Sequence, residues 1–180
     1  QENKLKEIPS IHKSQVNKFG VACFSRAGAR HQLMWSHYAD SHKGLCFVFH
    51  VPSSIEELIR CLPVTYSDEY QTINWLKRSG LQGKLGKTLY WKSTAWSYEK
   101  EYRRVEYEGA ESFCSINPRA VIAVVLGTKA SSKEEQNLIG LLRERRDKGL
   151  PTVKVFRSVL ADRQYRLELK RAYDIERDIK

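Results

Sequence analysis

The chain has 180 residues, of which 41% are hydrophobic and 29% charged, and this balance excludes a disordered or fibrous protein. Its longest apolar run, 120–126, is far shorter than the roughly 20 residues of a membrane-spanning helix, so we expect no membrane partner. Lysine and arginine number 31 against 21 acidic residues. The net charge of +10 indicates either a polyanionic partner (nucleic acid or a nucleotide) or a basic surface that keeps the protein soluble.

Apolar periodicity and turn residues predict strands that alternate irregularly with helices along the chain. In chain order the predicted elements are strand 20–25, loop 26–31, helix 32–40, strand 44–51, helix 53–60, strand 64–67, helix 69–77, loop 79–86, helix 87–98, strands 101–108, 113–116 and 120–127, helix 132–148, and strands 152–158 and 164–169. Strands 44–51 and 120–127 are almost wholly apolar, so we predict that both are buried on both faces.

This order of elements is not a regular βαβ series, so it predicts an α+β fold. We expect a mixed, mostly antiparallel sheet with several flanking helices in a single domain over residues 19–170. A polar lead-in, 1–18, precedes this domain, and a charged C-terminal tail, 171–180, follows it.

The cysteines include no C-x-x-C pair, and each lies in an apolar or strand-like context. This pattern predicts free, buried thiols in a reducing cytoplasm and argues against a structural zinc site. The four are Cys23, Cys46, Cys61 and Cys114.

Two histidines, a tryptophan and a tyrosine lie in the stretch 34–44, just before an apolar strand. On a helix, Tyr38 and His42 would be four positions apart and would share a face. Such side chains can stack on a flat ring and donate hydrogen bonds to phosphate or ribose. The alternative, which spacing alone favours, is a packed aromatic turn. The separation of His37 from His42 is not a usual spacing of metal ligands, so we predict no metal.

A glutamate and an arginine two positions apart, Glu101 and Arg103, would share one face of the predicted strand 101–108 with Val105 and Tyr107. The apolar members of this face indicate that it points inward, so both charges would lie at the rim of the core. A buried charge must be paired. The pattern therefore predicts either a structural ion pair or a carboxylate that faces a ligand and is positioned by a guanidinium.

The segment from Lys77 to Arg104 contains eight lysines and arginines, only two acids, and interleaved aromatic residues. Cations hold phosphates and aromatic rings stack on bases, so this mixture is typical of a surface that binds nucleic acid or a nucleotide. The alternative is that the tryptophans belong to the core. The sequence contains no phosphate-binding P-loop and no G-x-S-x-G motif, so neither ATP hydrolysis nor serine hydrolase chemistry is predicted.

Together these stretches resemble the bacterial family catalogued as domain of unknown function 2971 (DUF2971), and the resemblance runs from about residue 20 to residue 169. The residues that carry it are Cys23-Phe24-Ser25, Met34-Trp35-Ser36-His37-Tyr38-Ala39-Asp40, His42-Lys43-Gly44, Val64-x-Tyr66, and Lys92 followed by Trp96-x-Tyr98-Glu99-x-Glu101-x-Arg103. Members of the family begin with a longer segment that carries an Asn-Asp-Pro-like motif. Because no such motif precedes Cys23, we expect this chain to lack the family's usual N-terminal segment.

The early histidine and aromatic residues and the later glutamate are also similar to ADP-ribosyltransferases, by analogy of arrangement. That similarity implies NAD as cofactor and cleavage of the nicotinamide–ribose bond through an oxocarbenium-like state that a carboxylate stabilises. The predicted catalytic residues are Glu101, His37 and Arg103, and the predicted ligand-binding residues are Trp35, Tyr38, His42, Lys92, Tyr98 and Glu99. A basic surface fits a nucleic-acid acceptor, as expected of a toxin or defence effector.

Two alternatives remain open. A nuclease would use His37 or His42 as general acid–base and Arg103 or Lys92 on phosphate. A non-catalytic module would hold nucleic acid or a nucleotide on the basic segment, with an affinity that falls as salt rises.

Overall fold

The chain forms helices and strands that are divided between two compact units. A computed structural model describes residues 13–70 and 81–173. The first unit comprises residues 1–26 and 58–115, and the second comprises residues 27–57 and 116–180. The predicted domain boundaries, 19–170, stay a prediction.

Nine strands and four α-helices lie in the described part of the chain. The strands are β1 Gly20–Ser25, β2 Leu45–Phe49, β3 Leu62–Pro63, β4 Thr65–Tyr66, β5 Trp91–Lys92, β6 Glu101–Glu106, β7 Val121–Leu126, β8 Lys154–Leu160 and β9 Leu167–Tyr173. The α-helices are α1 Gln32–Tyr38, α2 Ile55–Leu58, α3 Leu81–Thr88 and α4 Ser132–Asp147. Short 3-10 helices span Val51–Ser54, Thr94–Glu99 and Pro118–Ala120. The predicted α+β class is confirmed, since most strand pairs are antiparallel and helices accompany the sheets.

The first unit contains an antiparallel sheet in the order β1-β6-β3 and a separate parallel pair, β4 with β5. Strands β1 and β6 pair along their whole length, which places Cys23 opposite Arg103 and Ser25 opposite Glu101. Side chains of directly paired residues lie on the same face of a sheet. The register therefore gathers a thiol, a hydroxyl, a carboxylate and a guanidinium on one face.

The second unit is a four-stranded sheet in the order β2-β7-β8-β9, with helix α4 packed against it. Strands β7 and β8 are parallel and the other two pairs are antiparallel. Helix α4 begins with a capping box in which Ser131 and Glu134 satisfy each other's backbone N–H groups. Its core joins the sheet to the helix and consists of Val124, Leu126, Leu138, Leu142, Val153 and Val155.

Several predicted elements are wrong, for identifiable reasons. Strand β2 is not buried on both faces, because it lies at the edge of its sheet and Phe47 is 52% exposed. Residues 113–116 form no strand. The predicted helix 87–98 is replaced by the end of α3, strand β5 and a 3-10 helix.

Helix α3 occupies residues where a glycine-rich loop was predicted. Its residue Leu85 is completely buried. Burial of a leucine stabilises by about 2 kcal/mol, which offsets the roughly 1 kcal/mol that each helical glycine costs. The predicted helix 69–77 lies mostly outside the described residues.

No helix in 13–70 or 81–173 is long and apolar enough to cross a membrane.

An unusual turn follows helix α1. Asp40, Ser41 and His42 all have left-handed backbone conformations, with φ of 42°, 52° and 74°. Three consecutive residues of this kind are strained, because only glycine adopts such φ values without steric cost. The turn is held by backbone hydrogen bonds, among them His42 N–H to Trp35 O and Lys129 N–H to His42 O. Gly127 packs directly against it.

We expect Gly127→Ala to destabilise the protein by about 2–3 kcal/mol, because an added Cβ would lie 2.0 Å from the backbone oxygen of His42 and backbone cannot rotate away. Gly140→Ala is the matched control, since a Cβ there meets nothing within 4 Å and alanine favours the helix by up to about 1 kcal/mol. Urea unfolding of both variants measures the difference. Equal stability of the two variants would contradict the predicted close approach at Gly127.

Candidate functional site

A cluster of four charged side chains lies in the first unit and is called the charge cluster below. Its members are Lys92, Glu99, Glu101 and Arg103. Lys92 ends strand β5, and Glu99 ends the 3-10 helix that follows. Lys100 then takes a left-handed conformation, φ 47°, and the chain enters β6 at Glu101. This sharp reversal lets one lysine reach both carboxylates.

The carboxylate of Glu101 is buried, 6% exposed, and its ion pair with Arg103 has two parallel hydrogen bonds. Arg103 Nε donates to Oε1 at 2.7 Å, and Arg103 Nη2 donates to Oε2 at 2.9 Å. Lys92 Nζ donates to the same Oε2 at 3.2 Å. The ion pair that the sequence predicted as one of two alternatives therefore forms, in the bidentate geometry that gives the strongest charge-assisted bonds.

The remaining contacts fasten the charge cluster to its surroundings. Lys92 also donates to Glu99, which is almost fully buried, and Arg103 Nη1 donates to the backbone oxygen of Leu89. The hydroxyl of Ser25 donates to the backbone oxygen of Glu99 at 2.5 Å. The charge cluster thus connects β1, β5, β6 and the 3-10 helix, and two cations balance its two acids.

Burial and partners act in opposite directions on the pKa of Glu101. Burial alone raises that pKa, but the hydrogen bonds from Arg103, Cys23 and Lys92 outweigh it and lower the pKa to about 2. For Lys92, burial lowers the pKa, and the bonds to Glu99 and Glu101 reverse this to a net rise. Burial, and then the neighbouring Glu101, raises the pKa of the Cys23 thiol to about 11. At neutral pH the carboxylate of Glu101 is therefore ionised and Cys23 remains a thiol.

The acceptor capacity of Glu101 is used up. A carboxylate offers about four lone-pair positions. Arg103 takes two of them, Lys92 a third, and the Cys23 thiol donates as well. A ligand hydroxyl could bond to Glu101 only by displacing one of these donors.

An exposed aromatic surface borders the charge cluster, and we call it the aromatic platform: Trp96 and Tyr98. The indole of Trp96 is 36% exposed, and the Lys92 ammonium lies 4.9 Å from its ring centroid. The two aromatic rings lie 6.1 Å apart and are tilted by 36°. Because Lys92 is fixed by two carboxylates, its cation–π contact holds the indole in one orientation.

In the second unit, Trp35 is a core residue. Its side chain is only 2% exposed and packs with Ala39, Val125 and Leu167. The indole N–H donates to the backbone oxygen of Ala29 at 2.8 Å. Trp35 therefore presents no open face on which a flat ring could stack.

The other predicted residues of the second unit lie on or after helix α1. His37 and Tyr38 are exposed and make an edge-to-face contact with centroids 6.3 Å apart. His42 does not share a helix face with Tyr38, because the helix ends at Tyr38 and the left-handed turn follows. His42 Nε2 lies 3.0 Å from the Ser36 hydroxyl. Its Nδ1 is buried and has no hydrogen-bond partner among the described residues.

Residues 34–104 match the sequence model of a family described as "Protein of unknown function (DUF2971)". The chain belongs to the DUF2971 family over this stretch. The match includes both the His37–His42 region and the charge cluster, and it confirms the resemblance seen in the sequence. No curated protein and no solved structure matches the chain.

The predicted DUF2971 site residues fall into two groups, one in each unit. Lys92, Tyr98, Glu99, Glu101 and Arg103 lie in the first unit, where they are brought together. Trp35, His37, Tyr38 and His42 lie in the second. A cavity shared by the two groups stays a prediction. No group of three or more potential metal ligands occurs among residues 13–70 and 81–173.

Sequence reasoning missed Cys23 and Trp96 as members of this DUF2971 site. Cys23 is paired with Arg103 across 80 positions of sequence, and only the register of β1 against β6 reveals it. Trp96 gave a signal, since it lies four residues after Lys92, but that spacing was attributed to a helix that does not form.

We expect Glu101→Gln to destabilise the folded protein by about 3 kcal/mol at neutral pH, because it leaves Arg103 and Lys92 without their shared anion. Glu106→Gln is the control, since Glu106 is paired with Arg104 on the same strand but its side chain is 44% exposed, and we expect a loss under about 1 kcal/mol. Chemical denaturation at pH 7 compares the two.

The same carboxylate predicts an acid limb of stability. Because the folded pKa of Glu101 is about 2, below its ordinary value of 4.5, its contribution is complete above pH 4.5 and is lost as pH falls towards 2. In Glu101→Gln this part of the pH dependence should disappear. An unchanged acid limb in that variant would show that Glu101 is not held as described.

Proposed function

We propose that the chain binds single-stranded nucleic acid, with a base stacked on the aromatic platform. The observation that carries this proposal is the exposed Trp96 indole, which the charge cluster holds through Lys92. Base–aromatic stacking requires an open and oriented ring face, and a ring fixed in advance loses little entropy on binding.

The charges near the aromatic platform divide into two kinds. Lys92 and Arg103 are balanced by buried acids, so they position groups and add little net attraction for phosphate. Lys87 and Lys100 are exposed and form no ion pair with any residue in the described ranges. These two lysines supply the cations that a phosphate backbone would meet beside Trp96.

The state of Glu101 favours binding over catalysis. All four of its acceptor positions are occupied, and its low pKa means that it holds no proton to donate at neutral pH. A binding surface needs the charge cluster only as a rigid support, which is the role its contacts fit.

Trp96→Ala should weaken binding of a fluorescently labelled single-stranded oligonucleotide roughly 5- to 150-fold, the effect of about 1–3 kcal/mol of lost stacking. Fluorescence anisotropy measures the dissociation constant. Phe113→Ala is the control, because Phe113 is a fully exposed aromatic residue of the same unit, away from the aromatic platform, and its affinity should not change.

Salt gives an independent measurement of the same surface. Affinity should fall as salt rises, and Lys100→Gln should reduce the slope of log affinity against log salt by about 0.7, as for one lost phosphate contact on a single strand. Equal affinities of wild type, Trp96→Ala and Phe113→Ala would reject the aromatic platform as the binding surface.

A second candidate, ADP-ribosyl transfer with NAD, is favoured by one observation. Glu101 is permanently ionised, the form in which a carboxylate stabilises an oxocarbenium-like transition state as nicotinamide leaves. The aromatic platform offers a ring for the nicotinamide or the adenine. The donor from Cys23 would have to give way before Glu101 could accept a bond from a ribose hydroxyl.

Incubation with NAD tests this candidate, with released nicotinamide measured by chromatography. Glu101→Gln should abolish release, whereas Cys23→Ala, which frees one acceptor position on Glu101, should retain or increase it. Thermal melts establish that both variants are folded. Absence of release by the wild-type chain, or equal release by folded Glu101→Gln, would reject the candidate.

A further inference from the structure

Two cysteines of the first unit lie on either side of one arginine. In the antiparallel pair of β3 with β6, Leu62 is opposite Arg103, so Cys61 occupies the next register position, opposite Arg104. Arg104 Nη1 lies 3.5 Å from the sulfur of Cys114. The Arg104 guanidinium therefore connects two thiols that are 53 positions apart in sequence.

The sulfurs of Cys61 and Cys114 are close enough to affect each other. Burial is the main cause that raises the pKa of Cys61, and a negative charge on Cys114 acts in the same direction, while Arg104 acts against it. Arg104 is itself held in place, because its Nε donates to Glu106 at 3.0 Å.

The surroundings of the pair permit a reaction. Cys114 is exposed and Cys61 is partly buried, which corrects the expectation that all the cysteines are buried. Residues 107–117, which contain Cys114, form neither helix nor strand. Formation of a disulfide requires the two Cα atoms to approach within about 7 Å, and an irregular segment can supply that movement.

We propose that Cys61 and Cys114 are a peroxide-sensitive thiol pair that closes to a disulfide, with Arg104 stabilising the thiolate of Cys114. The pair is separate from the aromatic platform and from the proposed binding of nucleic acid.

The reaction takes place in two steps, with a hydroperoxide as the oxidant. The Cys114 thiolate attacks one peroxide oxygen, so an S–O bond forms, the O–O bond breaks, and the leaving hydroxide takes a proton to become water. The Cys61 thiolate then attacks the sulfur of the resulting sulfenic acid, so the S–S bond forms and a second hydroxide leaves as water. The two thiols lose two electrons and the peroxide gains them.

The other two cysteines lack this arrangement. Cys23 is exposed, but the carboxylate of Glu101 disfavours its thiolate, and a thiol with a pKa of about 11 reacts slowly. Cys46 belongs to the second unit, and burial raises its pKa. Both serve as internal controls.

Treatment of the full chain with micromolar hydrogen peroxide, followed by alkylation and mass spectrometry, tests the proposal. We expect a mass loss of about 2 Da, the two thiol hydrogens, and one cross-linked peptide that joins Cys61 to Cys114 and separates on reduction. Cys23→Ser and Cys46→Ser should form the same cross-link.

The single variants separate the roles of the two thiols. Cys61→Ser should accumulate a sulfenic acid on Cys114 that dimedone traps, and Cys114→Ser should form neither product. Arg104→Gln should slow the oxidation several-fold without changing the site. A different cross-link, only intermolecular disulfides, or oxidation of Cys114 at the same rate with and without Arg104 would overturn the proposal.

Discussion

The buried carboxylate of Glu101 is the constraint on which the first unit depends. Taking an anion out of water costs several kcal/mol, and only a fixed set of donors compensates for it. The Arg103 fork and the Lys92 ammonium provide that set, and both also bond elsewhere, to Leu89 and to Glu99. One anion therefore fixes where β5, β6 and the 3-10 helix meet, and through Lys92 it fixes the orientation of the Trp96 ring.

The same interaction limits what chemistry this part of the chain can perform. A general acid must hold a proton near neutral pH, and a carboxylate with a pKa of about 2 does not. A general base must have a free lone pair, and four donors surround this one. What remains is a fixed negative charge beneath an exposed aromatic surface. That combination serves binding directly, and it serves catalysis only as electrostatic stabilisation.

The sequence predicted the elements whose signals are local. Strand β1 and helix α4 were predicted from an apolar alternation and from a serine cap, and they lie at or within one residue of those positions. The pairing of Glu101 with Arg103 followed from two-residue strand periodicity. The failures involve distant neighbours. Burial of β2 depends on how many strands flank it, and helix α3 forms over glycines because Leu85 is buried by the rest of the unit. The pairing of Cys23 with Arg103 has no local signal at all.

The left-handed turn at Asp40–Ser41–His42 places a comparable demand on the second unit. Each such residue costs about 1–2 kcal/mol, so the turn persists only because the surrounding bonds and the absence of a side chain at Gly127 leave no better conformation. A relaxed loop could join α1 to β2 without this cost. What the strained turn achieves is to hold the imidazole of His42 against Ser36, with Nδ1 buried. Strain of this kind is typical of functional positions. In the second unit, the strained turn therefore makes His42, rather than the core residue Trp35, the strongest candidate for a functional side chain.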